Sequence, residues 1–166
     1  MPPDRTRPPA RRGAGGIRPR SPRPDALDLC LRAEPLAVRE ALRAAVACYA
    51  RDVPSETVGT LQMALAEVLN NIVEHAYLDR GDGMIELHLR REGAALCCDV
   101  TDRGLPLAGL ALPAGALPPT EGGAESLPEG GWGWALIRAV TTDLAYSRCG
   151  GANHLHFKIP LPCDQG

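Results

Sequence analysis

Aromatic side chains are scarce in this 166-residue chain: Phe, Trp and Tyr together make up 4% of it. Aliphatic packing must therefore supply most of the core. No run of eighteen apolar residues occurs, which excludes a membrane-spanning helix at the level of sequence. The N-terminus has no apolar signal-peptide core either, so a cytoplasmic location is the expectation. The six cysteines (Cys30, Cys48, Cys97, Cys98, Cys149 and Cys163) lack any C-x-x-C spacing, which argues against a zinc knuckle or a thioredoxin-type site. Without an export signal they are expected to be reduced, several of them buried as small hydrophobes.

Hydrophobic residues make up 45% and charged residues 23% of the chain, the balance of a globular domain long enough to bury one core. Charge is unevenly shared. Residues 1–24 hold seven arginines (Arg5, Arg7, Arg11, Arg12, Arg18, Arg20, Arg23) against Asp4, a net +6, which leaves −8 for the rest of a chain whose total is −2. A segment so rich in Pro, Gly and Arg has too little apolar surface to order itself and reads as a disordered tail. Simple electrostatics would let it touch an acidic surface, but a solvated tail is the plainer reading, and no direct nucleic-acid binding is expected. Residues 25–160 form the expected domain.

Within that domain the segment 61–77, LQMALAEVLNNIVEHAY, carries the pattern of a helix. Leu61, Leu65, Val68 and Ile72 recur at helical spacing as one apolar stripe. Glu67, Asn71 and His75 follow one another at steps of four and share a flank beside it. A carboxylate and a carboxamide with no cation between them suit a hard cation such as Mg²⁺, which takes one or two protein oxygens plus phosphates and water. An ordinary solvated helix face is the competing reading of this helix alone.

Before it, Asp25–Leu31 alternates weakly as an edge strand, and Leu36, Val38, Leu42, Ala45 and Val46 give an apolar side to a helix running towards Tyr49. After it, Gly81 and Gly83 are the expected helix stop. Ile85, Leu87 and Leu89 alternate with polar residues, Arg91-Glu92-Gly93 turns the chain, and Leu96, Cys98 and Val100 alternate in the returning strand. Asp102 has the parity of that buried row, so a carboxylate aims at the core face and needs a partner there. Residues 105–129, rich in Pro, Gly and Ala and lacking any Lys or Arg, are too long for a plain connection and read as a functional loop. Gly130-Gly131-Trp132-Gly133 opens a helix through Val140, and glycines at such a start let exposed N–H groups surround an anion. A final hairpin pairs Leu144–Arg148 with His154–Ile159 across a turn at 149–153.

The ordered set is more specific than its parts: E-x-x-x-N on a helix, a hairpin ending in D-x-G, a long loop, G-x-G opening a second helix, then a hairpin. Through E-V-L-N-N-I-V-E-H-A-Y (67–77), V-T-D-R-G (100–104) and G-W-G-W-A-L-I (131–137) the chain resembles the Bergerat-fold (GHKL) ATPases, and among them the small bacterial anti-sigma factor serine/threonine kinases. The resemblance implies an α/β two-layer sandwich with a mixed, largely antiparallel sheet and helices on one face. It implies ATP and Mg²⁺ as cofactors, with the metal held by Asn71, Glu67 as the general base, and Asn71, His75, Asp102, Gly104, Gly131 and Gly133 around the nucleotide beneath a lid at 105–129. Asp102 would take a hydrogen bond from the adenine amine. The implied partners are an anti-sigma-factor antagonist of STAS type, which would be phosphorylated, and a sigma factor, which would be sequestered, with homodimer formation left open and no membrane contact. The family commonly supplies an arginine near the terminal phosphate; this lid has none, and Arg103, Arg138 and Lys158 are the candidates to replace it. A nucleotide-dependent protein-binding switch with little kinase activity is the alternative.

Overall fold

Period-two apolar residues bury one face of a sheet and leave the other to water, and this alternation builds the molecule. The computed structural model describes residues 18–19, 25–114 and 132–162. Among them β1 (Arg18–Pro19), β2 (Ala26–Arg32), β3 (Met84–Glu92), β4 (Ala95–Asp102), β5 (Thr142–Cys149) and β6 (Ala152–Pro160) form one sheet in the spatial order β1-β2-β3-β4-β6-β5. Every described pairing is antiparallel. The parallel component of a mixed sheet is not found among the described residues. The strand expected to be an edge, β2, is flanked on its outer side by Arg18 and Pro19, which pair with Cys30 and Leu29.

Three helices lie on one face: α1 (Pro35–Tyr49), α2 (Ser55–Asn71) and α3 (Trp132–Val140). Proline at the first position of α1 forfeits only an N–H that has no intrahelical partner. Leu61, Leu65 and Val68 of α2 are buried in one cluster with Leu87, Val100 and Phe157 of the sheet, so apolar transfer from water is what holds the two layers together.

Register across the sheet places polar groups as well as apolar ones. On the helix-covered face, Leu29, Leu87, Val100, Leu155 and Tyr146 lie in one row. The next row towards the strand ends reads Leu31, Ile85, Asp102, Asn153 and Arg148: apolar on one side of the sheet and polar on the other. The uncovered face carries Asp28, His88, Asp99 and His156 as neighbours, with His88 bonded to Asp28 (2.8 Å) and His156 to Asp99 (2.7 Å).

Two turns differ from expectation. The last hairpin closes through Gly150 and Gly151 alone, both left-handed (φ 57° and 79°), the geometry that matches the twist of a two-residue hairpin and that glycine adopts without steric cost. The central helix ends before its expected glycines, in a π turn at Ile72–Ala76 followed by Leu78 and Asp79 in left-handed conformation (φ 52° and 55°).

Candidate functional site

A cleft of about 510 Å³, partly open to solvent, lies between the end of α2, the start of α3 and the polar end of the sheet. Its walls are largely apolar, from Ile72, Leu105, Trp134 and Leu155, and its polar lining comes from Asn71, His75, Asp102, Tyr146 and Asn153.

The α2 wall departs from a regular helix. Tyr77 N–H bonds the carbonyl of Ile72 (3.0 Å), five residues back, so the turn is wider than an α turn, and such π turns favour functional sites. Steps of four no longer stack residues there. Glu67 and Asn71 lie on α2, while His75 lies within the wide turn and is exposed at the cleft rim. The wide turn also turns the carbonyl of Ala76 towards the β4 exit, where it accepts the N–H of Leu105 (2.8 Å). Gly104 fits against this segment: a Cβ placed there would lie 2.6 Å from the Ala76 carbonyl oxygen.

Asn71 and Glu67 meet the start of α3. A Cβ on Gly133 would stand 2.5 Å from Glu67 Oε2 and 3.8 Å from Asn71 Nδ2, so only glycine lets the α3 backbone come so close. Asn71 Nδ2 is buried and finds no partner in the described structure. Buried amides are rarely left so, and nothing fixes this one against turning its oxygen to a ligand. A carboxamide oxygen beside a carboxylate fits Mg²⁺, a hard ion that binds one or two protein oxygens and otherwise keeps phosphate and water. No group of three or more His, Cys, Asp or Glu suited to a metal occurs among the described residues.

Asp102 is 5% exposed, and its Oδ1 accepts the N–H of Gly104 and Nδ2 of Asn153, each at 2.8 Å. No protein donor among the described residues reaches Oδ2. Burial raises the pKa of this carboxyl, against the lowering effect of the bonds from Asn153 and Gly104 and of the nearby Arg148 and His154 charges.

The expected residues thus divide. Asn71, His75 and Asp102 line the cleft; Glu67 adjoins it through Gly133; Gly104 supports it from behind; Gly131 lies outside the described residues. Of the lid, residues 105–114 are described and 115–129 are not. Sequence reasoning missed Tyr77, Tyr146, Arg148 and Asn153. Tyr77 OH accepts the N–H of Arg103 and donates to the carbonyl of Met84, both at 2.9 Å, clasping α2 to two strands. Asn153 had a signal: it shares the parity of Leu155, Phe157 and Ile159, so a polar side chain was due on the buried face.

The candidate cations lie apart. Lys158 has the opposite parity from Asn153 and Leu155, and pairs with Asp143 (2.8 Å) on the uncovered sheet face; it is no substitute for a lid cation. Arg103 is exposed and bonds the carbonyl of Gly150 (3.5 Å), and Arg138 bonds that of Pro113 (2.9 Å).

A family model described as the histidine kinase-like ATPase domain matches residues 31–159. Blue-light-activated histidine kinase 2 of Erythrobacter litoralis (strain HTCC2594) is 29% identical over 126 residues, which are 74% of this chain and 33% of that protein. Serine/threonine-protein kinase BtrW of Bordetella bronchiseptica is 34% identical over 97 residues, 58% of this chain and 66% of BtrW. The chain therefore spans a third of one curated relative and just under two thirds of the other. The solved structure of the RsbU and RsbW domains of Rv1364c from Mycobacterium tuberculosis superposes with a TM-score of 0.55 at 18% identity, covering 82% of this chain and 32% of that one; at that identity it speaks for the fold. Among the described residues no helix is long and apolar enough to cross a membrane.

Proposed function

The chain belongs to the histidine kinase-like ATPase domain family, and from that premise we propose that it binds Mg-ATP and transfers the γ-phosphoryl group to a serine or threonine of an anti-sigma-factor antagonist of STAS type, holding a sigma factor when the antagonist is absent. The observation that carries the reading is the meeting of Glu67, Asn71 and Gly133 beside a cleft that Asn71 and Asp102 both line. Similarity to BtrW, a serine/threonine-protein kinase, favours a hydroxyl acceptor.

In this reading Asp102 Oδ2 accepts the exocyclic amine of adenine, and the apolar walls take the faces of the ring. Asn71 supplies the oxygen for Mg²⁺, which when bound neutralises charge on the phosphates. Backbone N–H groups at the start of α3 face the phosphate chain. Glu67 takes the proton of the attacking hydroxyl as its oxygen bonds the γ-phosphorus and the bond to ADP breaks; a general base of this kind contributes typically about 10²- to 10⁴-fold. The test is transfer of label from γ-labelled ATP to the purified antagonist. Glu67→Gln is expected to keep ATP binding and lower transfer by that factor, and equal loss of binding and transfer would sink this division of roles.

The second reading, a nucleotide-dependent switch that holds its partner and transfers little, draws on one observation. The lid sequence 105–129 carries no Lys or Arg, and Lys158 is committed to Asp143 on the far side of the sheet. Charge on the equatorial oxygens then has few cations to meet it. Slow transfer with tight nucleotide binding is the outcome that selects the switch.

A further inference from the structure

Asn153 is the most heavily bonded side chain of the cleft. Its Oδ1 accepts from Tyr146 OH (2.8 Å) and Arg148 Nη1 (2.5 Å). Its Nδ2 donates to Asp102 Oδ1 (2.8 Å) and to the carbonyl of Leu105 (3.1 Å). With two donors on the oxygen and only acceptors around the nitrogen, the Gly104 carbonyl at 3.5 Å included, the amide has one orientation; reversing it would set donors against donors. Asn153 is 5% exposed, so those bonds are made out of water, where losing them leaves buried groups unpaired.

The same partners hold the root of the lid. Arg148 also donates to the carbonyl of Gly104 (3.0 Å), and Tyr146 OH accepts the N–H of Leu107 (3.2 Å). Asn153 therefore joins the Asp102 carboxylate to the first residues that leave β4. By occupying Oδ1 together with the N–H of Gly104, it leaves Oδ2 as the oxygen that Asp102, which lines the cleft, can offer a ligand.

We infer that Asn153, oriented by Tyr146 and Arg148, is a positioning residue that sets nucleobase selectivity by fixing which oxygen of Asp102 meets the base, and that it ties this choice to the root of the lid. The inference rests on the proposed nucleotide reading and deepens it. A base bearing an exocyclic amine meets an acceptor held in place; a base bearing a carbonyl there meets acceptor against acceptor. Without Asn153 the carboxylate turns about its last torsion and can offer a protonated or re-aimed oxygen, so the distinction fades.

The test compares ATP with ITP, which carries a carbonyl where ATP has the amine, by titration calorimetry on the full chain, Asn153→Leu and Tyr146→Phe, with circular dichroism melts to check folding. The wild type is expected to prefer ATP. Asn153→Leu is expected to shrink the ATP-to-ITP affinity ratio by roughly tenfold, the order of one lost buried hydrogen bond. Tyr146→Phe, which keeps the Asn153–Asp102 bond but removes one donor that orients the amide, is expected to shrink it less and in the same direction, and it decides the matter should Asn153→Leu fail to fold. A merely structural role would weaken both nucleotides in parallel. A ratio unchanged in the folded variants overturns the inference alone, whereas a wild type that binds neither nucleotide overturns the nucleotide reading and the inference with it.

Discussion

At the scale of single residues, Asp102 faces two opposed demands. Burial raises its pKa, so the fold favours the protonated form: the stability this group contributes is present at low pH and is lost as pH rises through the raised folded value. Recognition of an amine is best served by the ionised form, so ATP affinity should fall as pH drops through that same raised value. Asp102→Asn is expected to flatten both dependences and to weaken ATP binding by about 1–3 kcal/mol, because an acceptor becomes partly a donor. Calorimetry and melting across pH read the two trends, and an affinity equal to wild type would remove Asp102 from the site. Glycine substitutions should separate by what the new methyl group meets. At Gly104 it meets the Ala76 backbone at 2.6 Å, which cannot step aside, whereas at Gly133 it meets the movable end of Glu67 at 2.5 Å. Gly104→Ala is expected to lower stability by about 1–3 kcal/mol. Gly133→Ala should leave the melting temperature near wild type while displacing Glu67 and slowing phosphoryl transfer.

At the scale of elements, α1, α2, the β3–β4 hairpin and the β5–β6 hairpin were legible because apolar spacing of 3.6 or 2 is imposed by the core itself. Asp102 was legible for the same reason, since strand parity carried it to the covered face. The end of α2 was not. Nothing in the spacing of Asn71, His75 and Tyr77 announces a π turn; it is set by tertiary bonds, from Leu105 to the carbonyl of Ala76 and from Tyr77 OH to Met84 and Arg103. His75 therefore lies in the π turn and not on a regular helix, and it lines the cleft together with Asn71. The two-residue turn at Gly150–Gly151 was overlooked because the pairing of Arg148 with Asn153 extends the hairpin through polar residues that resemble loop. Tyr77→Phe tests how far the clasp matters: losing both bonds of the hydroxyl is expected to cost about 1–2 kcal/mol, read by chemical denaturation. If stability is unchanged, the π turn is held by its own backbone.

For the whole molecule, the one-sided sheet separates a chemical face from a solvated one. Ion pairs such as Lys158–Asp143 and Arg90–Asp99 on the uncovered side close within the chain, so these cations are spent far from the cleft. Supplying one where the lid has none is the direct test of the two functional readings. Trp132→Arg is expected to raise the rate of phosphoryl transfer to the antagonist while changing ATP affinity less. If wild type and variant both bind ATP and a sigma factor yet transfer nothing, the kinase reading fails. The close approach of Gly133 to Glu67 also has a kinetic side. Under the proposed reading a phosphate chain passes beside Asn71 and the start of α3, so this close contact is a latch that binding must release. Uptake then waits on the latch: with rising ATP the observed association rate should bend to a plateau equal to the protein's own opening frequency, which stopped-flow emission from Trp134 in the cleft wall would read. A rate that climbs linearly without limit would mean that the doorway stands open.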